Sequence, residues 1–155
     1  TAKILGLPAL ADDSGLMVEA LGGAPGVRSA RYAGENASDE ANNAKLLQEL
    51  ESAENRNAAF ACVIAIAVPW DPALVYEGRC EGAIEQEGVG SQGFGYDPVF
   101  YYPPLEKTFA QLNTEEKNRV SHRGQALGHL QDEFDKVLIW LRQRLLESGW
   151  QLLEE

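Results

Sequence analysis

Residues 58–70 form a long apolar stretch rich in Val, Ile and Phe, Asp71-Pro72 interrupts it, and residues 74–85 return with strand-like composition. No other feature restricts the fold as much. β-Branched and aromatic residues suit the pleated, half-buried surface of a strand, and so short a turn joins only antiparallel neighbours. The chain therefore carries a hairpin within a sheet. Ser38 offers an N-cap to a helix with Asp39 and Glu40 in its first turn and Ala41, Ala44, Leu47 and Leu50 at three-residue steps along one face, ending before residues 55–57. Thr114 caps a short helix through Val120. Beyond Ser121, the residues Leu127, Leu130, Phe134, Leu138, Leu141 and Leu145 alternate three- and four-residue steps. That spacing predicts one long amphipathic helix or two broken near Gly128, with Gly149 as the stop. Strands and helices together give an α/β chain.

At 155 residues the chain is read as one domain, 1–155, able to bury roughly 68–70% of its unfolded surface. A net charge of −11 without any Lys/Arg run repels polyanions and argues against nucleic acid as a partner. A small phosphorylated ligand stays compatible, because local cations and a divalent metal neutralise it whatever the global charge. The longest apolar run, residues 58–68, is about half of what a membrane-spanning helix needs. Thr1-Ala2-Lys3 leads straight into a short stretch interrupted by glycine and proline, which is not a secretory signal. Cys62 and Cys80 have no Cys-x-x-Cys or Cys/His ligand spacing and read as buried thiols of a reducing compartment. The expectation is a cytoplasmic protein without a membrane partner.

Three separated segments carry residues suited to chemistry. Asp12-Asp13-Ser14-Gly15 reads as a turn or strand end between two short extended pieces, residues 7–11 and 16–20. Side chains alternate along an extended backbone, so only one of the two carboxylates can face a given site, and Asp13, next to Ser14 and Gly15, is the expected one. Magnesium takes one or two carboxylates plus phosphate oxygens and water, so Asp13, with Asp12 as a further ligand, can begin a metal site. In Gly93-Phe94-Gly95-Tyr96-Asp97-Pro98 the glycines leave the main chain open to a ligand. Phe94 or Tyr96 can stack on a base, and Asp97 can accept from ring N–H groups. Ser121-His122-Arg123-Gly124 places an N-cap before a helix whose free amides favour oxygen-rich groups, with the Arg123 fork and Lys117 nearby. Each segment taken singly has a plainer reading: an Asx-type turn, a hairpin loop whose aromatics cover the core, a solvated lysine. Arg28, Ser29 and Arg31 form a second basic cluster read as structural ion pairing, and Asn42-Asn43-Ala44-Lys45 mimics a phosphate motif inside the Ser38 helix.

These segments, in this order, resemble the inosine triphosphate pyrophosphatase family. The resemblance rests on Leu7-Pro8-Ala9-Leu10-Ala11-Asp12-Asp13-Ser14-Gly15-Leu16, on Leu21-Gly22-Gly23-Ala24-Pro25-Gly26 with Ser29-Ala30-Arg31-Tyr32, and on the Gly93 and Ser121 motifs, so it spans essentially the whole chain. It implies an elongated mixed β-sheet flanked by helices, two lobes with a cleft between them, a homodimer, and Mg2+-dependent hydrolysis of a purine nucleoside triphosphate substrate. The substrates implied are the non-standard triphosphates ITP, dITP and XTP, cut to the monophosphate and pyrophosphate and so kept out of nucleic acids. By motif position Asp13 is the general base and a metal-linked carboxylate, Ser14 contacts substrate, Phe94, Gly95, Tyr96 and Asp97 hold the base, and Lys117, His122 and Arg123 complete the pocket. Such enzymes begin with a strand and a Ser/Thr-x-Asn-x-x-Lys phosphate loop. Thr1 corresponds to a position well inside a usual member, so the expectation is an N-terminally truncated chain. Two competing readings are a non-catalytic nucleotide-binding or dimerisation fragment and a phosphatase built on Asp12-Asp13.

Overall fold

The computed structural model describes residues 1–147. A short helix α1 (Ala2–Leu5) leads into strand β1 (Ala9–Val18), and the chain then passes through two 3-10 turns to helix α2 (Asp39–Glu49). The expected hairpin follows as β2 (Asn57–Ala67) and β3 (Leu74–Ile84), then come the short strands β4 (Phe100–Tyr102) and β5 (Lys107–Thr108). Helices α3 (Thr114–Val120), capped by Asn113 and not by the expected Thr114, α4 (His122–Asp132) and α5 (Phe134–Glu147) complete the described chain. The five strands lie in the order β1-β2-β3-β4-β5, which leaves β1 at an edge.

An α/β sheet flanked by helices is what the sequence predicts. Where the resemblance implies a mixed sheet, every pairing among the described residues is antiparallel. The connection through α2 returns β2 alongside β1 in the opposite sense, and the turn between β2 and β3 is too short for a parallel crossover.

The acidic turn predicted between two short strands is instead the middle of one strand. β1 pairs with β2 residue by residue from Ala9↔Ala67 to Val18↔Ala58, with Asp13 opposite Val63 and Gly15 opposite Ala61. Gly15 therefore marks a close approach: a Cβ there would stand 2.6 Å from the Gly26 carbonyl oxygen.

Leu16, Val18, Phe60, Cys80, Phe100 and Phe109 form the main core with Leu46 of α2 and its C-cap Leu50. Each such side chain contributes roughly 1.5–3 kcal/mol when fully buried. Ser38 caps α2 as expected, accepting from the Ala41 N–H at 3.2 Å, and Leu47 and Leu50 pack on the core, but the buried face runs through Asn42 and Leu46 while Ala41 and Ala44 are exposed. A second core of Cys62, Ile64, Ile66 and Tyr76 is covered by Ala126, Leu130 and Val137, with Trp140 and Leu141 against it. The C-terminal apolar pattern does form two helices, broken at Glu133 and not at Gly128. Beyond the break Val137 is buried while Phe134 and Leu138 are exposed, and Leu127 of α4 is exposed too, although the spacing put all three on the packing stripe. Gly149 lies outside the described residues. Both cysteines are buried free thiols, and no described helix is long and apolar enough to cross a membrane.

Candidate active site

A cavity of about 240 Å³ opens beside the aromatic part of the main core. Asp12, Ser14 and Gly15 of β1 form one wall, Ser29 and Ala30 a second, Asp39 and Asn42 of α2 a third, and residues 94–97 a fourth, with Phe60, His122 and Arg123 completing it. The three segments singled out from sequence thus converge on one hollow.

Side chains alternate along β1, but it is Asp12 that faces the cavity. Asp12 shares its side of the strand with Ser14 and with the buried Leu16 and Val18, so the core fixes its direction. Asp13, expected in the cavity, lines a shallower hollow with Gly26, Val27, Ala61 and Val63. Arg123 donates to both Asp12 oxygens at 2.8 and 2.9 Å and to Ser14 Oγ at 3.2 Å. The guanidinium hydrogen bond, with the guanidinium charge behind it, holds the Asp12 carboxyl below the usual carboxylate range. Beneath them the Cys62 thiol lies 3.9 Å from Asp12 Oδ2 and is pushed up, chiefly by burial. It is not a poised nucleophile.

In the glycine-rich loop the two aromatics divide their roles. Phe94 is 65% exposed and borders the cavity, whereas Tyr96 is 5% exposed and donates its hydroxyl to the Ser29 carbonyl at 2.9 Å. Burial, then the nearby Tyr32 and Asp39, raises the Tyr96 phenol. The buried Asp97 accepts the Phe94 N–H at 2.9 Å and pairs with Lys117. Its carboxylate shapes the loop more than it offers itself to a ring. Lys117 lies 4.8 Å from the Phe94 ring centroid and 5.7 Å from that of Phe109, and is not among the cavity-lining residues. Gly95 is held from α2, where Asp39 accepts its N–H at 2.6 Å and Asn43 donates to its carbonyl at 2.9 Å.

Ser121 caps α4 by accepting the Gly124 N–H at 3.1 Å. His122 then stacks on Phe60 with centroids 4.6 Å apart and planes 12° from parallel. Burial, then the charges of Arg123 and Lys117, pushes His122 down to about 4, so the ring is neutral at physiological pH. A neutral imidazole offers one donor and one acceptor. Its Nδ1 is buried without a partner.

Asp39, Asn42 and Phe60 line the cavity although sequence reasoning gave them no site role. Asp39 was legible only as a first-turn acid and Phe60 only as a strand residue. The basic cluster is structural where it is engaged, with Arg31 3.6 Å from Glu35 at the surface. Among the described residues no three His, Cys, Asp or Glu side chains gather into a metal-ligand set.

Residues 1–133 match the profile of the Ham1 family. The chain belongs to that family. The motifs that carry the resemblance all fall inside the matched region. Among curated Ham1 relatives, a dITP/XTP pyrophosphatase from Desulfotalea psychrophila is 61% identical over 148 residues, covering 96% of this chain and 66% of that protein. One from Syntrophobacter fumaroxidans is 62% identical over 149 residues, covering 96% and 64%. The chain thus spans about two thirds, 64–66%, of the length of these curated relatives. The fold matches the Staphylococcus aureus Ham1 protein at a TM-score of 0.83 and 50% identity, over 87% of this chain and 70% of that one. A HAM1 protein from Coxiella burnetii matches at 0.83 and 51%, over 87% and 71%.

Proposed function

We propose that this chain hydrolyses the non-standard purine nucleoside triphosphates ITP, dITP and XTP to the monophosphate and pyrophosphate, keeping them out of nucleic acids. The observation that carries the reading is the cavity itself, where an open aromatic face, a neutral buried imidazole and an arginine fork converge beside a strand that bears two carboxylates. The names of its Ham1 relatives, dITP/XTP pyrophosphatase, point the same way.

The purine stacks on Phe94, an interaction worth roughly 1–3 kcal/mol per base. Arg123 uses Nε and Nη2 on Asp12 and Ser14, which leaves Nη1 of its fork outside these bonds. Inosine and xanthine carry an oxygen where adenine carries an amino group, so a donor from Arg123 or His122 is satisfied by the first two and faces another donor in the third. A site built on such a bond rejects the mismatched partner strongly.

The hollow that Asp13 lines adjoins the cavity through Ser14 and Gly15, which line both, so the phosphates extend from the cavity towards Asp13. Asp12 is committed to Arg123, whereas Asp13 makes no comparable ion pair among the described residues and suits the general base that orients and deprotonates the attacking water. A magnesium ion fits this donor set, because it takes one or two carboxylates and completes its shell with phosphate oxygens and water. Asp13 would hold it, since Asp12, expected as a further ligand, lies on the opposite face of β1 with both oxygens bonded to Arg123, and the ion would neutralise charge on the departing pyrophosphate. Water adds to phosphorus, the anhydride bond breaks, and pyrophosphate leaves while Asp13 takes the proton. A cytoplasmic homodimer belongs to the same proposal.

The test is magnesium-dependent pyrophosphate release from ITP, XTP, ATP and GTP by the chain and its Asp13→Asn variant. Release favouring ITP and XTP, lost in Asp13→Asn, is expected. Orthophosphate as the product, or ITP turnover surviving the substitution, overturns the assignment.

A further inference from the structure

Helix α2 grips Gly95 at both of its backbone polar atoms. Asp39 accepts its N–H at 2.6 Å and Asn43 donates to its carbonyl at 2.9 Å. The two side chains stand four positions apart, one above the other on a single helix face. Gly95 itself separates Phe94, open to the cavity, from Tyr96, which is in the core. Between the two gripping residues, the buried Asn42 accepts the Ala33 N–H at 2.8 Å and donates to the Ala30 carbonyl at 3.4 Å, and two positions beyond Asn43, Lys45 donates to the Tyr32 carbonyl at 2.8 Å. One helix therefore ties down two walls of the cavity, the one at Ala30 and the one at residues 94–97. The stretch that mimics a phosphate motif has these polar groups committed to backbone, and it works as a strut.

We propose that Asp39 and Asn43 are positioning residues for nucleotide recognition. They fix the Gly95 backbone, and with it the Phe94 ring, in the stacking conformation before a purine arrives. The proposal rests on the purine reading of the cavity given above. A glycine-rich loop left to itself must be ordered at the moment of binding, and that cost is subtracted from affinity. A carboxylate acceptor makes the stronger kind of hydrogen bond, so Asp39 carries most of the restraint.

Hydrogen exchange read by mass spectrometry, together with calorimetric binding of inosine monophosphate, tests this on the full chain. Asp39→Ala is expected to speed exchange across residues 93–97 and weaken inosine monophosphate about tenfold. With ITP it raises KM by a similar factor and leaves kcat within about twofold. Asp39→Asn keeps an acceptor oxygen and recovers most of the loss, and Asn43→Ala reproduces a smaller part of it. Glu40→Ala removes a neighbouring first-turn charge whose contacts are Ser38 and its own backbone, and it should change neither readout.

A Glu40→Ala loss equal to that of Asp39→Ala overturns the proposal, since the effect is then one of helix stability. Wild-type binding that Asp39→Ala leaves intact overturns the positioning role alone. A wild-type chain that binds no inosine monophosphate, while Asp39→Ala still frees the loop, overturns the purine reading and with it the recognition role.

Discussion

Asp12 and Arg123 stand 111 positions apart in the sequence and meet through two hydrogen bonds of 2.8 and 2.9 Å. Both side chains remain about a third exposed, so the pair adds only about 0–1 kcal/mol to stability. Its effect is geometric, joining the edge strand to the start of α4 and aiming the remaining N–H groups of the fork.

Arg123→Ala should therefore leave thermal unfolding almost unchanged while narrowing the preference for ITP over ATP by about tenfold or more. The measurement is kcat/KM for both nucleotides. An unaltered ratio would remove Arg123 from base discrimination. Arg123→Lys should behave like the alanine variant, because an ammonium cannot reproduce the two-pronged contact.

Lys117 and Asp97 form the pair on which the loop depends. Asp97 is 3% exposed, and the pair lies beneath the Phe94 ring. Lys117→Ala leaves that carboxylate buried without its cation, a change that costs about 3 kcal/mol or more. Combining it with Asp97→Asn should recover part of the loss, since the stranded charge is then gone. Urea unfolding of the two variants decides between this and a lysine that merely sits at the surface.

The hairpin was legible because its apolar pattern is local, and β2 and β3 begin and end close to where composition changes. β1 was misread because Gly15 resembles a turn residue, whereas it is there to let the Gly26 backbone approach. The direction of Asp12 was in principle readable: it shares parity with Leu16 and Val18, the two residues of that strand that must be buried. The break at Glu133 carries no glycine or proline, whereas Gly128, inside α4, resembles a helix breaker and draws the expected break to itself. Asp39 and Asn43 act through contacts to Gly95 that exist only once α2 has docked, and no local pattern encodes those.

Gly93 has φ +80, and a Cβ there would come within 1.9 Å of Asp97 Oδ2. Gly93→Ala must shift either the loop or the carboxylate that holds it. The left-handed backbone conformation alone costs roughly 1–3 kcal/mol for a residue with a side chain. The expected result is a lower melting temperature and weakened inosine monophosphate binding together. Loss of stability with full affinity would mean that the Phe94 loop is not the base platform.

His122 makes stability fall in weak acid. Its folded-state value is pushed down to about 4 from an ordinary 6.5, so between these pH values the unfolded chain binds a proton that the folded chain refuses. Stability therefore declines as pH drops from 6.5 towards 4, by about 3 kcal/mol in total. Asp12 acts in a lower window. Its folded-state value lies below the ordinary 3.8, so its contribution is present above that pH and is lost as acid titrates the folded carboxylate. The two effects separate on substitution. His122→Phe keeps an aromatic ring against Phe60 and removes both the titration and the buried, unpartnered Nδ1. In denaturant titrations from pH 7.5 to 4, the variant should show a flat stability profile down to about pH 4.5. A slope equal to that of the wild type would assign the acid sensitivity to another group and would mean that His122 is charged in the folded cavity.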